Sequence, residues 1–233
     1  KACLVGSYQT KLEAIARHND VDLTTIVPPV WYDPAGPVKL ERAHTEGYRL
    51  LVDPIRFNGQ FHTYYFPRLK QRLAALRPDV VHIDEEPYNL ATWLAMRQAR
   101  RVGAKTLFFS WQNLRRSYPF PFSLIEKQVL ATIDYGIVGN QAAADVWRQK
   151  GYRGPLAVIP QFGVDETIFQ PPAQRDRGRG FIIGSANRRL VPEKGVDLLL
   201  RAVASLPGVW RLHIAGEGPE RPSLENLARQ LGI

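Results

Sequence analysis

Residues 188–200 read RRLVPEKGVDLLL, and three of the first seven side chains are cations: Arg188, Arg189 and Lys194. A helix begins just after them. Helix starts leave N–H groups without intrahelical partners and carry a partial positive charge, so added cations there build a site for an anion. A guanidinium forks onto phosphate oxygens, and an ammonium adds a mobile point charge. Arg189 and Lys194 would then stabilise a departing diphosphate as its bond breaks. Arg188 joins them or faces water. A solvated loop turned by Gly195 accounts for the same residues without chemistry. Further on, AGEGPE sets Gly216, Glu217 and Gly218 after an apolar run, as FIIGSA sets Gly184. Such glycines let a backbone approach a ligand closely, although G-x-G without a third glycine also describes an ordinary turn.

A second set lies earlier. After DVVHI comes the acidic run Asp84-Glu85-Glu86, and after TLFF comes SWQN. Carboxylates there would serve as a general base or would bind sugar hydroxyls; a solvated loop pairing with nearby arginines is the alternative. Trp111, Gln112 and Asn113 suit stacking on a sugar and hydrogen bonding to it, while Trp is also common core filler. His82 ends an apolar run, where a lone His is more often a core residue than a catalyst. The five histidines show no paired metal-ligand spacing, and one cysteine, Cys3, allows neither an intrachain disulfide nor a cysteine metal cluster. No metal site is expected.

These residues matter only if a scaffold gathers them. Short apolar runs alternate with longer amphipathic ones, the βαβ signature of parallel sheets covered by helices. TKLEAIARH predicts a helix and VDLTTIVPP a strand stopped by Pro28 and Pro29. FPRLKQRLAALR, YNLATWLAMRQARRVG, PFSLIEKQVLATI and QAAADVWRQKGY predict helices. PDVVHID, AKTLFFSW, YGIVGN and LAVIP predict the strands between them. Residues 170–180, QPPAQRDRGRG, break this pattern with Pro, Gly and charge, as a linker does. Beyond it FIIGSA and WRLHIAGEG predict strands, and GVDLLLRAVASL and RPSLENLARQLG predict helices. In a parallel sheet, ligands collect beyond the carboxyl ends of the strands. That rule selects the loops carrying the residues named above. KACLVG runs almost at once into a helix, so a first strand is expected upstream, and two βα units are few for the second domain. A fragment of a larger protein is the expectation.

Apolar content of 45% with 23% charged residues indicates packed globular structure. No run approaches the ~20 apolar residues of a spanning helix. The net charge of +9 is uneven: residues 1–163 hold 21 Lys+Arg against 14 Asp+Glu, a surplus of seven, and residues 164–233 hold 10 against 8, a surplus of two. A basic first part suits an anionic partner such as a phosphate, an acidic glycan, a nucleic acid or a membrane surface, and a solvated basic surface accounts for the same charge at least as well. The lone cysteine fits a reducing, cytoplasmic interior.

Together, RLVPEKGVDLLL, LHIAGEGPE, VIPQFGVDETIFQP and RPDVVHID resemble the family 4 glycosyltransferases, with the first stretch the most specific. The resemblance spans about residues 77–233. It implies an α/β, GT-B-like fold of two Rossmann-like parallel-sheet domains, the second incomplete. The expected division is an acceptor domain at 1–165, a linker at 166–180 and the start of a donor domain at 181–233. It implies transfer of a sugar from a nucleotide-diphosphate sugar to a glycan or lipid-linked acceptor hydroxyl, with retention, without a cofactor or a catalytic metal. By this resemblance Arg189 and Lys194 hold the donor diphosphate and are the expected catalytic pair, His82 matches the histidine of the family's DVVH stretch, and Gly6 stands for its glycine-rich first loop. Arg188 stands where the family commonly has glycine, and Gln112 and Asn113 stand where it often has a sugar-contacting histidine. The expected donor-binding residues are Gly184, Arg188, Gly216 and Glu217, and the expected acceptor-binding residues are Gly6, His82, Glu86, Trp111, Gln112 and Asn113. Gly163, Val164 and Asp165 match the stretch before the interdomain link. The family's later acidic motif would lie beyond Ile233, so this chain alone is expected to be inactive. Location at the inner face of a membrane follows from the basic surplus, and no nucleic acid is expected, since the cations track strand-end loops. The alternatives are a related sugar-nucleotide epimerase and a non-catalytic basic glycan- or nucleic-acid-binding module.

Overall fold

The structure is a computed structural model that describes residues 2–33, 36–171 and 181–233; the Arg188 side chain also lies outside the description. It divides into two units, Lys1–Val164 and Asp165–Ile233. Of the expected linker, residues 172–180 lie outside the described residues.

The first unit opens with two 3-10 turns, Ala2–Leu4 and Gly6–Tyr8, leading into helix α1 (Thr10–Ala16). Strand β1 (Thr24–Val27) follows, then a hairpin of β2 (Val30–Asp33) and β3 (Gly36–Lys39), then β4 (Arg49–Val52). Next come α2 (Leu69–Leu76), β5 (Val80–Ile83), α3 (Leu90–Arg101) and β6 (Lys105–Ser110). Helix α4 (Phe122–Thr132), β7 (Tyr135–Val138), α5 (Gln141–Gln149) and β8 (Leu156–Val158) complete it. Strands β5-β6-β7-β8 form one parallel sheet in that order, and β1 pairs in parallel with β4. The hairpin and β4 were not expected from sequence. WYDPAGPV carries the turn residues of a loop, yet its flanks pair antiparallel from Val30 against Lys39 to Asp33 against Gly36.

Local chemistry sets these boundaries. The Asn140 side chain accepts a 2.8 Å hydrogen bond from the Ala143 N–H and so caps α5. Gly103, at φ 82°, ends the α3 region in the left-handed conformation that glycine tolerates. Side chains from both layers meet in the main core, where Phe108, Val129, Val138, Trp147 and Tyr152 are fully buried. A second core gathers Leu4, Leu12, Val27, Trp31 and Tyr64 around β1. Between α2 and β4, the buried Asp53 receives two bonds from the Arg72 guanidinium at 2.7 and 2.8 Å.

The second unit holds β9 (Phe181–Arg189), a 3-10 turn at Pro192–Lys194, α6 (Val196–Ala204), β10 (Trp210–Glu217) and α7 (Arg221–Leu231). The two strands pair in parallel from Phe181 against Trp210 to Arg189 against Glu217, with a register shift between Ala215 and Glu217. Leu190, Val196, Leu200 and Leu224 form its core. Arg189 was expected in the loop before α6; it is instead the last residue of β9, because pairing continues past FIIGSA once the shift at Gly216 realigns the partner strand.

Candidate active site

Four sequence-selected residues come together. Glu86, Trp111, Gln112 and Asn113 line one polar pocket of about 230 Å3 at the carboxyl ends of β5 and β6, together with Tyr88, Leu114, Arg116 and Tyr118. Glu86 organises it. One carboxylate oxygen accepts from the Ser110 hydroxyl at 2.6 Å, the other from the Trp111 N–H at 2.9 Å. The Ser110 oxygen in turn accepts from the Gln112 N–H at 3.0 Å. The end of β6 is therefore bent around a single carboxylate, which fixes where the next three side chains point. Trp111 donates its indole N–H to Gln161 at 2.7 Å and lies over Gly139. A Cβ at Gly139 would come within 2.2 Å of the ring, so glycine there makes room for the indole.

Behind the pocket sits a cation that sequence reading did not single out. Lys150 on the α5 side is buried, pairs with Glu126 at 2.5 Å, and lies 5.0 Å from the Tyr118 ring and 4.9 Å from the Trp147 ring. It also reaches the Gln112 side-chain oxygen at 3.5 Å. A buried cation needs such partners. Tyr118 stacks on Tyr88 at 4.0 Å, and burial pushes the Tyr88 phenol well above its ordinary range, so it stays protonated. The wall thus offers aromatic faces, amides, a guanidinium and a carboxylate. That set suits a sugar, whose ring has apolar C–H faces and a polar hydroxyl rim.

The acidic run is not a solvated loop. Asp84 accepts from Lys11 at 3.2 Å and from Gln161 at 2.6 Å. Burial alone would raise its pKa, but the Lys11 and His82 charges outweigh that and hold it low. The Asn89 amide donates to Glu85 at 3.2 Å, while Glu86 holds the strand end. The three neighbours thus tie three different elements.

His82 and Gly6 stand apart from this pocket. His82 lines a larger, mainly apolar cavity of about 650 Å3 beside β1 and β5, where desolvation lowers its pKa against the opposing pull of Asp84. Gly6 is buried; its N–H donates to Glu41, and a Cβ there would lie 2.6 Å from Ala43 and 2.8 Å from the Glu41 carboxylate. Its lack of a side chain serves internal packing. Among the pocket residues, Tyr88, Arg116 and Tyr118 were missed. Tyr88 lies two residues past the acidic run and the strand-end rule would have reached it; the Lys150–Glu126 pair joins distant segments and leaves no local signal.

In the second unit, Arg189 and Lys194 are both exposed around the start of α6. Gly195, at φ 61°, precedes the helix and supplies no capping side chain, so the first turn remains available to an outside anion. Gly184 faces open space. A Cβ at Gly216 would fall 1.8 Å from the Asn187 carbonyl oxygen, and one at Gly218 would fall 2.4 Å from that of Leu190. Both glycines therefore let two chain segments cross closely. The Glu217 side chain accepts from Arg221, the first residue of α7, and Glu217 lies opposite Arg189 in the register.

Comparison with known proteins places this geometry. Residues 15–168 match the family described as Glycosyltransferase Family 4, and residues 170–233 match Glycosyl transferases group 1. The lipopolysaccharide 1,6-galactosyltransferase of Salmonella typhimurium is 26% identical over 177 residues, 74% of this chain and 45% of that protein. A lipopolysaccharide core biosynthesis glycosyltransferase of Rhizobium meliloti is 34% identical over 84 residues, 36% of this chain and 24% of that protein. The matches thus span less than half the length of either relative. A solved structure of the lipopolysaccharide outer core galactosyltransferase WaaB, apo form, superposes with a TM-score of 0.59 at 15% identity, covering 100% of this chain and 63% of that one. At that identity the likeness is one of fold. The family match extends over most of the first unit and agrees with the motifs at its strand ends: the chain belongs to glycosyltransferase family 4.

Proposed function

We propose that the whole protein transfers a sugar from a nucleotide-diphosphate sugar to a hydroxyl of a glycan or lipid-linked acceptor, with retention at the anomeric carbon. The observation that carries this reading is the gathering of Glu86, Trp111, Gln112 and Asn113 into one polar-aromatic pocket at the carboxyl edge of a parallel sheet. The first unit would hold the acceptor there, with Trp111 and Tyr118 against its ring faces and Glu86, Gln112 and Asn113 near its hydroxyls. The second unit would hold the donor, with Gly184, Arg188, Gly216 and Glu217 around it. Arg189 and Lys194 would meet the diphosphate at the start of α6, neutralising charge as the bond to the anomeric carbon breaks. The names of the relatives support an acceptor of the lipopolysaccharide-core class. No metal or cofactor is assigned a step. Work at the cytoplasmic face of an anionic membrane belongs to the same proposal, supported by the basic surplus in residues 1–163.

The test uses the whole protein, screened with nucleotide sugars while release of UDP, GDP or ADP is followed with and without acceptor. Arg189→Ala and Lys194→Ala should each cut turnover by about 10²-fold or more, with folding intact because both side chains are exposed. Unchanged turnover in either variant removes that residue from the chemistry. Sugar modification in the absence of acceptor would favour an epimerase.

A further inference from the structure

Three hydrogen bonds run in series from the polar pocket into the body of the first unit. The Trp111 indole N–H donates to the Gln161 side-chain oxygen at 2.7 Å, the Gln161 amide nitrogen donates to one Asp84 oxygen at 2.6 Å, and the Lys11 ammonium donates to the other at 3.2 Å. An indole N–H only donates and an ionised carboxylate only accepts, so the amide between them serves both in a single orientation. Against the cost of burial, the Lys11 charge keeps Asp84 ionised and thereby keeps that orientation. The series joins the segments that follow β6, β8 and β5 to helix α1.

Gln161 is itself held on both sides. Two residues before it, the Ile159 N–H donates to the Val138 carbonyl at 2.9 Å. Directly after it, Phe162 stacks on Tyr8 at 4.0 Å, and the Lys11 ammonium lies 5.0 Å from the Phe162 ring. The Trp111 ring, by contrast, rests on Gly139 and meets Phe109 edge-on at 5.6 Å. Those contacts are apolar and leave the ring free to swing. Its bond to Gln161 is the one directional side-chain tether that it makes among the described residues.

We infer that Gln161 is a positioning residue of the acceptor site, setting the Trp111 ring in the attitude that meets the acceptor sugar. This role rests on the acceptor reading of the pocket. Gln161 lies three residues before Val164, where the first unit ends, so the stretch that carries the chain out of that unit takes part in acceptor recognition.

Two measurements on the whole protein test this. The Trp111 indole N–H resonance, identified by its loss in Trp111→Phe, reports the tether: Gln161→Leu should shift it upfield and speed its exchange with water by about tenfold. Binding of a lipopolysaccharide-core oligosaccharide reports the consequence. Gln161→Leu and Trp111→Phe should each weaken it by about fivefold, the effect of freeing one side chain. The double variant should be no worse than either alone, because both remove the same bond. Gln161→Ala, which puts no apolar bulk beside Asp84, should repeat the result, and the nucleotide-sugar KM should stay unchanged throughout. Effects that add in the double variant overturn the inference, since Gln161 then acts by another route. An unmoved resonance in Gln161→Leu also overturns it and leaves the acceptor reading standing. Failure of the acceptor reading looks different: the resonance moves, neither single variant changes oligosaccharide binding, and the two fall together.

Discussion

At the residue scale the pocket turns on Trp111. Its backbone N–H is held by Glu86 and its indole N–H by Gln161, so a side chain 44% exposed is fixed at both ends. A pre-positioned ring face loses little entropy when a sugar settles on it. Trp111→Ala should therefore raise the acceptor KM by about tenfold, ~1.4 kcal/mol, while the donor KM stays put. A change in the donor constant instead would place Trp111 outside the acceptor site. The pocket residues themselves were legible, because each lies just after a strand and carries a polar or aromatic group. Their connections were not. Nothing local in sequence tells that Glu86 is anchored by Ser110 and Trp111, or that Lys150 backs Gln112, since those contacts join segments set side by side by the sheet.

At the scale of elements, the alternation of apolar and amphipathic stretches gave away the helices and every parallel strand but β4, because their periods differ and their connections are short. The β2–β3 hairpin escaped because its Pro and Gly content reads as loop while its pairing depends on partners across the turn. The end of β9 escaped too, since continuing the strand to Arg189 depends on a register shift in which two residues of β9, Asn187 and Arg188, stand against one of β10. That one is Gly216, at φ 151°. Gly216→Ala adds a methyl 1.8 Å from the Asn187 oxygen and forces a backbone conformation that L-residues rarely adopt. The expected cost is roughly 3 kcal/mol, read as a lower denaturation midpoint for the second unit. Gly184→Ala, which meets open space, should cost far less and serves as the control. Equal midpoints would mean that β9 and β10 do not cross as described.

At the scale of the whole molecule, charge is the property that single residues do not reveal. Residues 1–163 carry a surplus of seven cations, whereas no helix among the described residues is long and apolar enough to cross a membrane. Binding to vesicles containing anionic lipid should therefore exceed binding to neutral vesicles and weaken as salt rises, since screening shortens the reach of surface charge. Salt-independent or lipid-independent behaviour would remove the membrane from the proposal. Another molecular property follows from Cys3, the sequence's sole cysteine, which is buried and whose thiol pKa burial pushes up. Alkylating reagents attack the thiolate, so at neutral pH they must wait for the surrounding chain to breathe. The protein thus comes with a built-in clock: the pace at which one sulfur is tagged times the opening of its N-terminal region, with no engineered label.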